Sequence, residues 1–131
     1  MPPTASSKSG PAPAPGSGQG SYDRFWLAYL RAHSRRRTRL IHYCGISLML
    51  VGLAAGLWLG DWRIIAGGLA LGYVTAWAAH LAVQGNVPVM FEGPKSAIWS
   101  AASGLRMYVL GLTMQLDPHL RRAGIKDNAS S

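Results

Sequence analysis

Three histidines stand in an apolar chain where simple packing has little use for them. His33 closes "FWLAYLRAH", His42 lies in "RLIHYCG", and His80 lies in "TAWAAHLAVQGNVP". Neutral imidazole is a common ligand of iron, zinc and copper. Three imidazoles brought to one place would therefore make a metal site. Gln84 follows His80 by four residues and shares its helical face. Asn86 and Pro88 come directly after. Polar groups at membrane depth are costly and mark function by default. A lone histidine at a membrane boundary can instead simply touch water or a lipid headgroup. The fourth histidine, His119, follows Pro118 in a polar stretch and is read as a solvated surface residue.

The elements that must carry these residues read as helices. Hydrophobic residues make up 49% of the 131-residue chain and charged ones 14%. The charged share is well below the ~25% of soluble domains. The apolar residues concentrate between Leu40 and Leu116, which points to one small integral membrane helical bundle, all-α. Leu40 to Gly60 and Ile64 to Gln84 each match a ~30 Å bilayer core at ~1.5 Å per residue. The short "GDWR" turn between them forces an antiparallel transmembrane pair. Gly52, Gly56 and Gly60 on one helix, and Gly68 and Gly72 on the other, have the spacing that lets backbones approach in lipid.

An amphipathic helix precedes this pair. Ser21 is its expected N-cap, Asp23 lies in its first turn, and Phe25, Trp26, Tyr29 and Leu30 form its stripe. It is expected at the membrane interface. A last helix, Ala97 to Leu116, is interrupted by Ser100, Ser103 and Arg106, and is read as membrane-embedded or interfacial rather than a third crossing. Residues 1–21 are rich in Pro, Gly and Ser, are expected to be disordered, and contain no secretory apolar run. Residues 117–131 read as a polar tail.

The formal charge of +8 raises the question of nucleic acid, but the basic residues flank the apolar runs. Arg31, Arg35, Arg36, Arg37 and Arg39 precede the first run, and Arg121, Arg122 and Lys126 follow the last. That placement suits anionic lipid headgroups and puts both termini in the cytoplasm. No nucleic-acid motif is present. The lone Cys44 excludes an internal disulfide and reads as a small packing residue. The Ala/Gly/Arg-rich composition suits a bacterial inner membrane. In a eukaryote the endoplasmic reticulum would take its place.

Three sequence blocks carry a family resemblance. Tyr29, Leu30 and His33 are followed by Thr38, Arg39, His42 and Gly45. His80, Gln84, Asn86, Pro88, Val89 and Phe91 form a second block, and Pro94, Ser100 and Met107 loosely form a third. Residues 22–116 thus resemble the membrane-bound, iron-dependent 2-hydroxy fatty acid dioxygenase-like family. The resemblance implies Fe(II) held by His33, His42 and His80, with a 2-hydroxy fatty acid and molecular oxygen as substrates and a product one carbon shorter. Gln84 and Asn86 would serve the chemistry. Arg39, Tyr43 and Pro88, within or beside the motifs, are the candidate substrate-binding residues.

This chain departs from the family pattern at two places. Gln84 stands where the family has Glu, and Gly104 where it has Asp. The chain's acids are Asp23, Asp61, Glu92, Asp117 and Asp127, and only Glu92 lies in the right loop to substitute. A catalytically degenerate member with a structural or lipid-binding role, and a haem-binding helix pair using His42 and His80, are the alternatives.

Overall fold

The computed structural model describes residues 20–88 and 92–126. These residues are all-helical, with no strand among them. Helix α1 spans Ser21–Ala32, α2 Arg36–Leu59, α3 Trp62–Ala78, α4 Pro94–Leu112 and α5 Asp117–Arg122. Helix α3 runs on into a π-helical segment, Ala79–Gln84. The expected disorder of the N-terminal tail falls almost wholly outside the described residues, as do Val89, Phe91 and Asp127.

Helix α2 and the α3–π unit are each long and apolar enough to cross a membrane. They pack through glycine. A Cβ added to Gly52 would stand 2.7 Å from the Cα of Gly68, and one on Gly45 would stand 2.8 Å from the carbonyl oxygen of Gly72. Gly56 meets the side chain of Ile65. Gly60 has a different task from the one its spacing suggests. It ends α2 in the left-handed region, at φ 65°, and has open space around it. Asp61 then caps α3, its carboxylate accepting from the backbone N–H of Arg63 at 2.9 Å.

The outward faces of this pair stay apolar. Leu57, Trp58 and Trp62 are between 68% and 89% exposed. Cys44 is exposed as well, so it is not the packing residue its apolar surroundings suggest. In a helix with close contact along only one face, an apolar neighbourhood in sequence does not mean burial.

The side-chain core lies elsewhere, where α1 meets α4 and α5. Trp26, Leu27, Tyr29 and Leu30 pack with Met107, Leu116, Leu120 and Ala123. The apolar stripe of α1 is therefore covered by protein. Its N-cap is Gly20, with no side-chain cap bond, and Ser21 is already helical.

The expected polar tail is also corrected in part. Residues 117–122 form α5, whose Leu120 is buried. The segment docks through polar bonds that sequence periodicity does not reveal. Arg31 Nε donates to the Ala123 carbonyl at 3.1 Å, and Arg122 pairs with Asp23 at 2.8 Å. His119 is half-buried, and its Nδ1 accepts from the Trp26 indole at 3.3 Å. Burial and the nearby Arg106 and Arg122 hold its pKa below the ordinary value, consistent with a neutral acceptor.

The glycine contact gives a direct test. Gly52→Leu is expected to force α2 and α3 apart and cost about 1–3 kcal/mol, the scale of overpacking. Gly67 has nothing within 4 Å of an added Cβ. Gly67→Ala should therefore hold or raise stability, by up to about 1 kcal/mol of helix propensity. Thermal melting of both variants in detergent checks the contrast.

Candidate metal centre

The three histidines arrive from three elements. His33 caps the C-terminus of α1, His42 sits in the second turn of α2, and His80 is the second residue of the π segment. The structure brings them together. Ring centroids of His33 and His80 are 4.4 Å apart, His33 and His42 4.9 Å, and His42 and His80 6.1 Å. One ligand nitrogen of each lies within 4.8 Å of the others. Among the described residues this is the group of His, Cys, Asp or Glu side chains placed to hold a metal ion.

Each imidazole has one nitrogen held by the protein. His33 Nδ1 donates to the Tyr29 carbonyl at 2.7 Å. His80 Nδ1 donates to Asn86 Oδ1 at 2.8 Å, and Asn86 Nδ2 donates onward to the Ala32 carbonyl at 3.0 Å. His42 Nε2 pairs with the Tyr29 hydroxyl at 3.2 Å. The opposite nitrogens, His33 Nε2 and His42 Nδ1, are buried with no hydrogen-bond partner in the protein. Metal-binding histidines have this pattern, with one nitrogen oriented by the protein and the other free for the ion. The residues therefore fit a metal, with His33 Nε2, His42 Nδ1 and His80 Nε2 as the available donors.

Protonation state agrees with this fit at His33. Its burial, with His42 close by, holds its pKa well below the ordinary histidine value. The neutral ring then carries its proton on Nδ1 and a lone pair on Nε2. Tyr29 serves two of the three rings at once and also stacks on His33 at 4.2 Å. Burial, then Tyr22 and Tyr43, raise the pKa of its phenol, so it stays neutral.

The π turn explains how His80 and Asn86 meet. The His80 carbonyl accepts from the N–H groups of Gly85, at 2.7 Å, and Asn86, at 3.1 Å. Gly85 takes the left-handed conformation, at φ 74°, that this reversal requires. The widened turn brings the Asn86 amide oxygen to the Nδ1 edge of His80. Such segments are often found at functional sites.

Gln84 is placed differently from His80. Its Oε1 accepts from Thr38 Oγ1 at 2.9 Å and from the Arg35 N–H at 3.2 Å. Its Nε2 donates to Ser34 Oγ at 2.7 Å. The amide thus ties the π segment to the α1–α2 junction, and its bonds are made there rather than at the imidazoles. Arg39 acts nearby. It is buried, and its Nη1 donates to the carbonyls of His33, at 3.1 Å, and Ser34, at 2.7 Å, closing the end of α1.

The histidines open onto a cavity of about 220 Å³. Beyond Tyr29 and the imidazoles its wall is mostly apolar, including Ile46, Met49, Trp77 and Leu105. Pro88 lines it. Arg39 and Tyr43 do not; they border a second groove beside Leu116 and Leu120. Gly104 faces the cluster closely. A Cβ there would stand 3.1 Å from the Tyr29 hydroxyl and 3.5 Å from His42 Nε2. Glu92 is exposed and lines neither space. Sequence reasoning did not single out Tyr29 as a positioning group, although its spacing of four from His33 places the two on one helical face.

The profile of the family described as 2-hydroxy-palmitic acid dioxygenase Mpo1-like matches residues 19–116. No curated protein and no solved structure matches the chain. The profile match covers well over half of the chain, and the chain belongs to this family.

The two amides beside His80 separate by experiment. Asn86→Ala removes the acceptor that orients His80 and should weaken metal binding roughly 10–100-fold, as for other groups that orient a ligand. Gln84→Glu keeps an oxygen acceptor at the α1–α2 junction and should leave metal affinity within a few-fold of the parent. Competitive metal titration of both variants gives the comparison.

Proposed function

We propose that this chain is an integral membrane, iron(II)-dependent dioxygenase that shortens 2-hydroxy fatty acids by one carbon. One observation carries the reading. Three imidazoles, each with one nitrogen already engaged, bring ligand nitrogens within 4.8 Å of one another on the wall of an apolar cavity. Membership of a 2-hydroxy-palmitic acid dioxygenase family gives that site its reaction class. Imidazole alone suits iron, zinc or copper equally. Oxidation by molecular oxygen excludes redox-inert zinc, and the resemblance to iron-dependent family members favours iron over copper. When bound, iron would supply the redox chemistry with oxygen and open positions for the acid's polar headgroup.

The chain's own groups have definable tasks in this reading. Tyr29 and Asn86 hold the rings of His33, His42 and His80 in the donor orientation. Gln84 and Arg39 keep the α1–α2 junction closed around them. The apolar wall receives the acyl chain and excludes water, and Pro88 bounds the mouth. Glu92 is not needed as a substitute acid.

The membrane assignment rests on α2 and the α3–π unit forming an antiparallel transmembrane pair. Their exposed faces carry residues such as Leu57, Val74 and Leu81, which suit lipid contact. Arg35, Arg36 and Arg37 are exposed at the histidine end of this pair. Anionic headgroups at the cytoplasmic surface would meet them there, with both termini on that side. A bacterial inner membrane fits this arrangement. The folded unit takes in α5, so it extends beyond residue 116.

The haem alternative fits the geometry less well. The ring of His33 lies within 5 Å of both other rings. The imidazoles therefore form a triangle, not two faces of a flat ligand.

Purified full-length protein reconstituted with iron(II) is expected to hold about one equivalent of metal at a three-histidine site. It should consume oxygen when 2-hydroxypalmitate is added. His42→Ala and His80→Ala should each lose both properties, oxygen uptake by at least ~100-fold. Iron bound by the parent with no oxygen uptake on any 2-hydroxy acyl chain would leave the degenerate-member reading in its place.

A further inference from the structure

The Ser100 hydroxyl is buried and has no hydrogen-bond partner in the protein. That is unusual for a helical hydroxyl, which commonly bonds the carbonyl one turn back. Thr75 and Thr113 do so here, reaching Leu71 at 2.7 Å and Val109 at 2.8 Å. Other helical serines pair across the structure, Ser103 with Tyr22 at 3.1 Å and Ser47 with Tyr108 at 2.9 Å. A buried unpaired polar group is costly and calls for an explanation.

Position supplies the explanation. Ser100 lines the cavity into which the three imidazoles open. It lies one turn before Gly104 on α4 and so on the same face. Gly104 faces the Tyr29 hydroxyl and His42 Nε2. Ser100 is therefore one helical turn from the residue that faces the cluster, on the wall of the same cavity. Among the described residues no Lys or Arg lines this cavity. An acid entering it meets no side-chain cation, and Tyr29 is already paired with His42. Ser100 is the buried donor on this wall without a protein partner.

We propose that Ser100 binds the substrate headgroup, its hydroxyl donating to the carboxylate of the 2-hydroxy fatty acid. This rests on the function proposed above. A carboxylate is the acceptor best able to repay a buried donor, because charge-assisted bonds are about twice as strong as neutral ones. Ser100 then contributes to selection for the free acid over its uncharged derivatives.

The test is anaerobic calorimetric titration of the iron-loaded full-length protein with 2-hydroxypalmitate and with its methyl ester. Ser100→Ala should weaken binding of the acid roughly tenfold, the loss of one hydrogen bond to a charged group. Binding of the ester and iron content should stay unchanged, which also establishes that the variant is folded. Ser100→Thr, which keeps the hydroxyl, should retain most of the affinity. Equal losses for acid and ester, or no loss for either, would overturn the assignment of Ser100 while leaving the function intact. Iron-loaded parent that binds neither compound would overturn the function, and this inference with it.

Discussion

The close approach of α2 and α3 through glycine is the constraint on which the site depends. Gly45 against Gly72 and Gly52 against Gly68 bring the two backbones together without side chains between them. His42 lies one turn before Gly45, and His80 lies two turns beyond Gly72. A wider separation of the helices would carry His42 and His80 apart. The same contact explains why the pair has few buried large side chains and exposes so many apolar ones. Its cohesion is backbone packing, a mode of association that suits helices in lipid. The ordinary side-chain core is displaced to α1, α4 and α5, and α1 delivers His33 from that side.

Much of this was legible in the sequence, because helical spacing is a local property. The two long apolar runs, the turn between them and the amphipathic stripe of α1 follow from residue periodicity. The meeting of three histidines follows from placing both ends of the long helices at one level. What was not legible depended on partners far away in the chain. Gln84 shares a helical face with His80 in sequence, yet its amide bonds Ser34, Arg35 and Thr38. Arg39 reads in sequence as a candidate substrate residue, and its bonds to the His33 and Ser34 carbonyls at the end of α1 are not visible there. His119 looked solvated because Pro118 and charged neighbours surround it in sequence. Its half-buried position comes from Trp26, 93 residues away. The second block of the family pattern had pointed to His80 and Asn86 together, but only the π turn shows why the two must pair.

The missing family acids also take on a different meaning. Gln84 occupies a joint between elements, where its amide bonds Ser34, Arg35 and Thr38. Gly104 lies against the Tyr29 hydroxyl, which takes up the space a longer side chain would need. Asp23 is engaged by Arg122, Asp61 caps α3, and Glu92 is exposed. Among the described residues, then, no carboxylate accompanies the three imidazoles.

That has an electrostatic consequence for the proposed function. Three neutral imidazoles leave the full charge of a divalent ion uncompensated in an apolar cavity. An unpaired buried charge is strongly unfavourable. In a site with its own carboxylate ligand, the resident acid supplies part of the balance before substrate arrives. Here the anion must come from outside, and a fatty acid brings one at the end of a chain that the apolar wall accommodates. Substrate binding and charge neutralisation then become one event. The absence of family acids is therefore compatible with a working centre, one in which an anionic headgroup completes the electrostatics that the protein leaves open.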